Sequence, residues 1–157
     1  MDKVNDYNDE ERGKICESLE LEIYYRFLST PYLEKRINGL SFIIEKIAMA
    51  KEKDDEDRRL LRGGIRMPYR TDDVARWLTS NLLIDWMDSH NLIELIFGGH
   101  YHSELAKRSV DLLKFCYEKQ RFGLTGMDKI WEAATREHEA DREAIFSIFV
   151  ELIDVMN

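Results

Sequence analysis

The chain has 157 residues, 44% hydrophobic and 34% charged, which fits one globular domain and is too apolar for general disorder. Acidic side chains outnumber basic ones by 31 to 23, and this net charge of −8 disfavours a nucleic-acid-binding protein, since such proteins usually present a basic face. There is no apolar run of about 18 residues and the N-terminus is acidic, so we expect neither a membrane span nor a signal peptide.

Two helices are predicted in the first third of the chain, at about 9–29 and 31–53, separated by Ser29-Thr30-Pro31. Proline is tolerated in the first turn of a helix, which supports a second helix that begins there. The buried side of the first helix is predicted to comprise Ile15, Leu19, Ile23 or Tyr24, and Phe27. That of the second is predicted to comprise Leu33, Ile37, Leu40, Ile43 or Ile44, and Ile47.

The sequence KEKDDEDRRLLRGGIRMPYR, residues 51–70, is first charged and then rich in glycine. It predicts a mobile acidic and glycine-containing loop at 52–70. Its tetrapeptide Leu61-Arg62-Gly63-Gly64 is like the C-terminal tail of ubiquitin. Because further residues follow and the surrounding chain is helical, we interpret this likeness as a coincidence.

Five further helices are predicted downstream of this loop, at about 72–89, 91–97, 102–120, 126–137 and 139–155. Thr71 is placed to cap the first of them. Gly98-Gly99 is expected to end the second in a left-handed conformation. The inner face of the third is predicted to comprise Leu105, Ser109, Leu112, Leu113 and Cys116, and that of the last Ile145, Ile148 or Phe149, Leu152 and Val155. Trp77, Trp86 and Trp131 are expected to anchor the core.

A short internal repeat favours a stack of helix pairs. Leu33-x-Lys35-Arg36-x-x-x-Leu40 matches Leu105-x-Lys107-Arg108-x-x-x-Leu112 at an offset of 72 residues (Leu33 to Leu105). Two armadillo or HEAT units of about 40 residues each fit that offset. We therefore predict an all-α fold, an armadillo/HEAT-like α-α superhelix segment of about six to seven helices in one domain over 1–157. A closed helical bundle is the alternative.

The segment FGGHYHS, Phe97–Ser103, is the most conspicuous candidate site. His100 and His102 could share a metal ion, but zinc needs further ligands and only Glu104 and the distant His138-Glu139 offer them. The simpler interpretation places His102 or Ser103 at a helix N-terminus, where side chains satisfy free backbone N–H groups. The glycines match neither a phosphate loop nor a dinucleotide loop, so we predict no metal and no cofactor.

Neither cysteine shows the signature of a nucleophile. Cys116 lies among apolar neighbours, where a buried thiol is inert, and Cys16 has no base nearby in sequence. The two form no redox or metal motif, which favours a reducing, cytoplasmic location. We expect no catalytic residue in the chain.

Several ordered sequence features together resemble a helical region of the very large ubiquitin-specific proteases of the fat-facets type. They are Phe27–Ile43, Trp77-Leu78 with Ile93 to Phe97, Ile96–Cys116, and Met127–Phe146, which contains Ile130-Trp131 and Arg136-Glu137-His138-Glu139. The resemblance spans about 27–150. It implies an armadillo-like scaffold outside the catalytic domain, in a piece of a larger deubiquitinase. The family's catalytic Cys and His boxes have no match here.

Two functions follow as hypotheses. The first is a non-catalytic scaffold that binds a protein partner, or other parts of the same large chain, through exposed residues near 98–104 and 54–70 on one edge of the stack. The candidate interaction residues are His100, His102, Glu104, Arg108 and Arg36. A homodimer through the exposed ends of the solenoid is a further hypothesis on this pattern. The second is a stand-alone helical bundle with a metal or small-molecule site, although the sequence has no Glu-x-x-His motif.

Overall fold

A computed structural model describes residues 3–64, 76–136 and 139–156 of the chain. These residues form eight helices and no β-strand: α1 (Lys3–Ser29), α2 (Leu33–Leu61), α3 (Ser80–Ser89), α4 (Leu92–Phe97), α5 (Ser103–Arg108), α6 (Val110–Glu118), α7 (Leu124–Arg136) and α8 (Glu139–Met156). Thr71 and His138, two residues singled out in the sequence, lie outside the described ranges. None of the helices in those ranges is both long and apolar enough to cross a membrane.

The helices form a row with a second group beside it. In the row, α1 packs on α2, α2 on α5 and α6, and those two on α8. Beside the row, α3 contacts α2, α4 contacts α5, and α7 bridges α4 and α8. This side-by-side order is the one predicted for a stack of helix pairs, and it leaves α1 and α8 at the two ends.

The core runs along the row and agrees with most of the predicted buried faces. Leu40, Ile43 and Ile47 of α2 are buried, as are all five predicted residues of α5 and α6. In α8, Ile145, Ile148 and Leu152 are buried as well. The side chains shared by α2, α5, α6 and α8 therefore hold the centre of the stack together.

Gly39 allows α1 and α2 to approach at the level of their backbones. A Cβ atom at this position would lie 2.8 Å from the Tyr24 carbonyl oxygen and 2.9 Å from the Leu28 nitrogen. No L side chain fits that gap without moving one helix away from the other. The glycine in an otherwise strong helical pattern thus has a packing reason.

The second helix is longer than predicted, because the acidic stretch expected in the 52–70 loop continues α2 to Leu61. Charges at helical spacing support this continuation: Lys53 pairs with Asp57 at 3.3 Å, and Arg58 with Asp55 at 3.5 Å. Gly63, with φ of 82°, follows the helix end in the left-handed conformation that glycine favours. The predicted mobility remains a prediction, and 65–75 lie outside the described residues.

The third predicted helix begins later than expected. Residues 76–79 are not helical, and α3 starts at Ser80. Its N-cap is Thr79, whose hydroxyl oxygen accepts a 3.3 Å hydrogen bond from the Leu82 N–H. The amides of Trp77 and Leu78 donate instead to the Glu17 carboxylate, which holds this segment out of the helix.

Two details of the 98–109 region also differ from expectation. Gly98 ends α4 with φ of −82°, not in the left-handed region. It is required because a Cβ atom would collide with the Glu94 carbonyl oxygen. The predicted 102–120 helix is divided into α5 and α6 at Ser109, whose hydroxyl donates a 2.6 Å hydrogen bond to the Ala106 carbonyl and competes with the regular helical pattern.

The predicted buried stripe of α1 faces outward, which is the largest error of the sequence interpretation. Ile15, Leu19 and Ile23 are exposed, with Phe27 at the margin, whereas Tyr24, the predicted alternative to Ile23, is partly buried against the core. The buried face consists of Gly13, Glu17, Leu21 and Leu28. Trp131, expected in the core, is 51% exposed, whereas Trp77 and Trp86 are partly buried against the core.

Candidate functional site

The candidate site is the joint at which the end of α1, the end of α4 and the 98–102 loop meet the start of α2. Arg36, on the second turn of α2, lies at its centre and is only 5% exposed. Its guanidinium donates three hydrogen bonds to main-chain carbonyls: Nε to Leu28 at 3.1 Å, Nη1 to His100 at 2.5 Å and Nη2 to Leu95 at 2.9 Å. One planar fork therefore ties three separate segments together.

The charge of Arg36 is stabilised by these carbonyls. Leu28 and Leu95 lie in the last turns of α1 and α4, where free carbonyls carry the negative end of the helix dipole. Burial lowers the pKa of Arg36, although an arginine remains protonated at any physiological pH. Arg36 therefore lies at a joint between helices, where its partners are main-chain carbonyls.

The loop that Arg36 holds presents the other predicted site residues. The side chains of His100 and His102 are exposed, and Tyr101 between them is partly buried against Phe97. His102 caps α5, with Nδ1 accepting a 3.2 Å hydrogen bond from the Glu104 N–H. The interpretation of this histidine as a helix cap is confirmed.

Glu104 and Arg108 form an exposed pair on the first helical turns after the loop. The Arg108 Nε lies 3.6 Å from Glu104 Oε2, at the i,i+4 spacing. Arg108 is the repeat counterpart of Arg36, but Arg36 is buried and Arg108 is exposed. Leu40 and Leu112 of the repeat are both fully buried, whereas Leu33 is only partly buried and its counterpart Leu105 is fully buried. The repeat therefore shares one pair of buried leucines and not its polar contacts.

The two segments proposed to line one edge of the stack lie at opposite ends of α2. Arg36 contacts the 98–102 loop near the start of this helix, whereas Asp54, near its end, accepts from the Ser80 N–H at 3.3 Å. Eighteen residues of helix correspond to roughly 27 Å. A partner bound to the loop would need to extend that far to reach 54–64. Residues 65–70 of the predicted edge lie outside the described ranges, so the shared edge stays a prediction.

Among the described residues, which do not include His138, His100 and His102 belong to no larger group of potential metal ligands. Within 3–64, 76–136 and 139–156, no group of three His, Cys, Asp or Glu residues has the geometry to hold a metal ion. The capping bond of His102 already uses one of its ring nitrogens. The arrangement offers imidazole side chains for surface contacts.

A separate crevice of about 150 Å³ lies between α3, α4, α6 and α7, with Cys116 among its lining residues. Burial, and then the Asp88 carboxylate, raise the pKa of the Cys116 thiol to about 12. A thiol with such a pKa stays protonated at neutral pH and is a poor nucleophile. The sequence interpretation of Cys116 as a buried, unreactive thiol agrees with this environment.

A buried charged group that was not predicted from the sequence lies between α1, α2 and residues 76–79. Glu17, 6% exposed, accepts from the amides of Trp77 at 2.8 Å and Leu78 at 2.6 Å. Lys46 of α2, 7% exposed, lies 3.9 Å from Glu17 and also pairs with Glu20. Gly13 and Leu21 lie on the same helix face as Glu17 and were the available sign that this face is buried. The more conspicuous isoleucine stripe obscured that sign.

Comparison with known proteins identifies the architecture. Residues 14–155 match the model of a family described as the UBP24/USP9X/USP9Y ARM repeat. Over 118 residues the chain is 25% identical to ubiquitin carboxyl-terminal hydrolase 34 of Homo sapiens and to that of Mus musculus. The aligned part covers 75% of the chain and 3% of each relative. No solved structure is significantly similar. The resemblance and the armadillo-like fold read from the sequence are confirmed.

Proposed function

This chain belongs to the UBP24/USP9X/USP9Y ARM-repeat family, and on that basis we propose that it is a non-catalytic scaffold whose 98–108 surface binds a protein. It is an armadillo-like helical segment of the kind found in large ubiquitin-specific proteases, and its relatives are named ubiquitin carboxyl-terminal hydrolases. Because the chain spans 3% of their length, their activity need not reside in this region. A cytoplasmic location belongs to the same proposal.

The observation that carries the proposal is the anchored loop. Arg36 binds the backbone carbonyls of Leu95 and His100 with a buried guanidinium, yet the side chains of His100 and His102 are exposed. A rigid backbone that presents exposed imidazoles loses little conformational entropy when it binds. In this role His100, His102, Glu104 and Arg108 contact the partner, and Arg36 positions them.

The partner surface can be tested by site-specific photocrosslinking. A photoreactive amino acid at His100 is expected to give a discrete crosslinked species with a cellular protein, identified by mass spectrometry. The same group at Leu61, which is 87% exposed at the end of α2, serves as the matched control and should not give that species. Identical products from both positions would contradict a specific surface at the loop.

The absence of catalysis can be tested directly with purified chain and a ubiquitin-linked fluorophore. We expect no turnover above the uncatalysed rate, because the buried Cys116 thiol stays protonated. A ubiquitin-specific protease catalytic domain provides the positive control. Turnover that persists through repeated purification and disappears on substitution of Cys16 or Cys116 would overturn the proposal.

A further inference from the structure

A polar crevice lies where the second half of α2 meets the start of α3 and the end of α6. Its volume is about 230 Å³, which gives room for several water molecules or for one small organic ion. Every described side chain that lines it is polar or charged. The crevice is near the opposite end of α2 from the 98–102 loop, so the proposed function does not use it.

Ser80 borders this crevice with a hydroxyl group that has no partner among the described residues. The residue is 1% exposed, and its Oγ atom makes no hydrogen bond within that part of the chain. Its main-chain N–H, by contrast, donates to Asp54 Oδ1 at 3.3 Å. An unpaired buried hydroxyl is unfavourable, so such groups normally bind an ordered water or a ligand. The crevice is the space from which that partner can reach Ser80.

Lys119, the residue that follows α6, lines the same crevice and is only loosely bound. Its Nζ atom lies 3.5 Å from Asn81 Oδ1 and 4.0 Å from Asp54 Oδ2. Both distances exceed the roughly 2.8 Å of a good charge-assisted hydrogen bond. The ammonium group therefore keeps hydrogen-bonding capacity for an acceptor that enters the crevice.

The start of α3 adds a third feature that favours a negative charge. This helix is ten residues long and begins at Ser80, so the positive end of its dipole lies at the crevice. Asp54 accepts from the Ser80 N–H and the Thr79 hydroxyl oxygen accepts from the Leu82 N–H. The helix end is significant here because the unpaired hydroxyl and the loosely bound ammonium lie beside it.

The lining carboxylates limit how much negative charge the crevice can accept. Three acidic and three basic side chains line it and cancel in charge. Two exposed pairs are already formed: Glu118 with Lys51 at 2.6 Å, and Asp55 with Arg58 at 3.5 Å. What remains is the helix end, equivalent to about half a positive charge. A monoanion suits this balance better than a phosphate group, which carries about 1.5 to 2 negative charges at neutral pH.

We propose that this crevice binds a carboxylate group, which accepts hydrogen bonds from the Ser80 hydroxyl and the Lys119 ammonium at the positive end of α3. A carboxylate has a single charge and two acceptor oxygens, one for each donor. A small carboxylic acid and the side chain of a glutamate in another protein present the same group. This inference is independent of the proposed function, because it involves none of residues 98–108.

Titration of the isotopically labelled chain, followed by NMR, tests the site. Sodium acetate is the probe, and sodium chloride at the same ionic strength is its control. We expect acetate to shift the amide signals of Ser80 and Asn81 saturably, with a dissociation constant on the order of 1–10 mM, whereas chloride should not. Inorganic phosphate should bind more weakly than acetate, because its second charge meets the lining carboxylates.

A glutamate blocked at both its amino and carboxyl ends distinguishes the two sources of the group. Binding about tenfold tighter than that of acetate would identify a protein side chain as the ligand. Equal binding of the two probes would identify a small carboxylic acid. Both results support the carboxylate site, and failure of both probes to bind would overturn it.

Matched variants test the two donors. Ser80→Ala and Lys119→Gln are each expected to weaken acetate binding by at least about fivefold, since each removes one donor to the anion. Lys53→Gln removes a positive charge from the same part of α2 outside the crevice, and it should bind acetate like the wild type. Circular dichroism establishes that each variant is folded; Lys119→Gln and Lys119→Arg decide the matter if Ser80→Ala is not.

Urea denaturation without acetate supplies a readout that does not involve binding. Ser80→Ala should be as stable as the wild type or more stable, because it removes a hydroxyl that has no partner. A marked loss of stability would show that an ordered water already pairs this hydroxyl, and it would overturn the proposal. So would phosphate binding tighter than that of acetate, or acetate binding that is unchanged in both Ser80→Ala and Lys119→Gln.

Discussion

The guanidinium of Arg36 donates a hydrogen bond to the carbonyl oxygen of His100, a residue 64 positions away in the sequence. The same side chain bonds Leu28 and Leu95, so one residue of α2 fixes the exit of α1, the end of α4 and the entry to α5. Neutral backbone oxygens stabilise this buried cation, and those of Leu28 and Leu95 lie in last helical turns, where carbonyls lack partners within the helix.

Arg36→Ala is expected to destabilise the chain by about 3 kcal/mol, because it leaves three carbonyls unpaired at a buried or partly buried joint and opens a cavity. Arg36→Lys should recover only part of this loss, since an ammonium cannot reproduce the planar fork. Urea denaturation gives both values. Arg108→Ala is the matched control and should cost less than about 0.5 kcal/mol, as its ion pair is exposed. Equal decreases in the free energy of unfolding for Arg36→Ala and Arg108→Ala would show that the hydrogen bonds of Arg36 do not stabilise the fold.

Gly39→Ala is expected to destabilise the fold even though alanine has the higher helix propensity. The added methyl group collides with the Tyr24 carbonyl and the Leu28 nitrogen, so α1 must move away from α2 at a net cost of about 1–3 kcal/mol. Gly99→Ala, where no atom lies within 4 Å of the added Cβ, is the control and should be close to neutral. Thermal unfolding of the two variants compares them, and a stabilised Gly39→Ala would contradict the close approach.

The sequence predicted the number and kind of elements better than the orientation of one of them. Leu40, Leu105 and Leu112 were assigned correctly because each lies on a helix with a single apolar side. On α1 the isoleucine stripe was the stronger periodic signal. In the structure, however, the buried face is the one that holds Glu17, and α1 approaches α2 closely at Gly39. When either of two faces of a helix could be buried, the neighbouring helices determine which one is. The sequence of the helix itself does not specify those neighbours.

The candidate site was predictable in part for a similar reason. His102 could be placed as a cap because a cap is a local feature, set by residues within one turn. Two of the three carbonyls that Arg36 binds, and both amides that donate to Glu17, are about 60 positions away. These partners are backbone groups, and the sequence does not indicate which backbone group a side chain will bind. The end of α2 was misjudged because its acidic stretch resembles a solvated loop, while its charges pair at helical spacing.

Alkaline pH is expected to weaken the wild-type chain more than Cys116→Ala. The thiol pKa is raised from 9.0 to about 12, so the unfolded chain loses this proton first as the pH rises. Stability from this group is complete below pH 9 and declines towards pH 12, with a slope of up to about 1.4 kcal/mol per pH unit. Urea denaturation of the two proteins at several pH values between about pH 8 and about pH 10.5 measures how the difference in their free energies of unfolding changes with pH. A constant difference would show that the thiol ionises equally in both states.

Glu17→Ala is expected to release residues 76–79 from the helical row before it unfolds the rest. The substitution removes the acceptor for the Trp77 and Leu78 amides and one of the two carboxylates near the buried Lys46. The lost contacts amount to about 3 kcal/mol, since a buried cation is left with one partner. Hydrogen exchange measures the local effect: the two amides should lose their protection, while those of α6 keep theirs. Glu22→Ala, at an exposed pair on the same helix, should leave both amides protected. If Trp77 and Leu78 exchange equally slowly in Glu17→Ala, the carboxylate does not hold this segment, and the packing of Leu78 alone must do so.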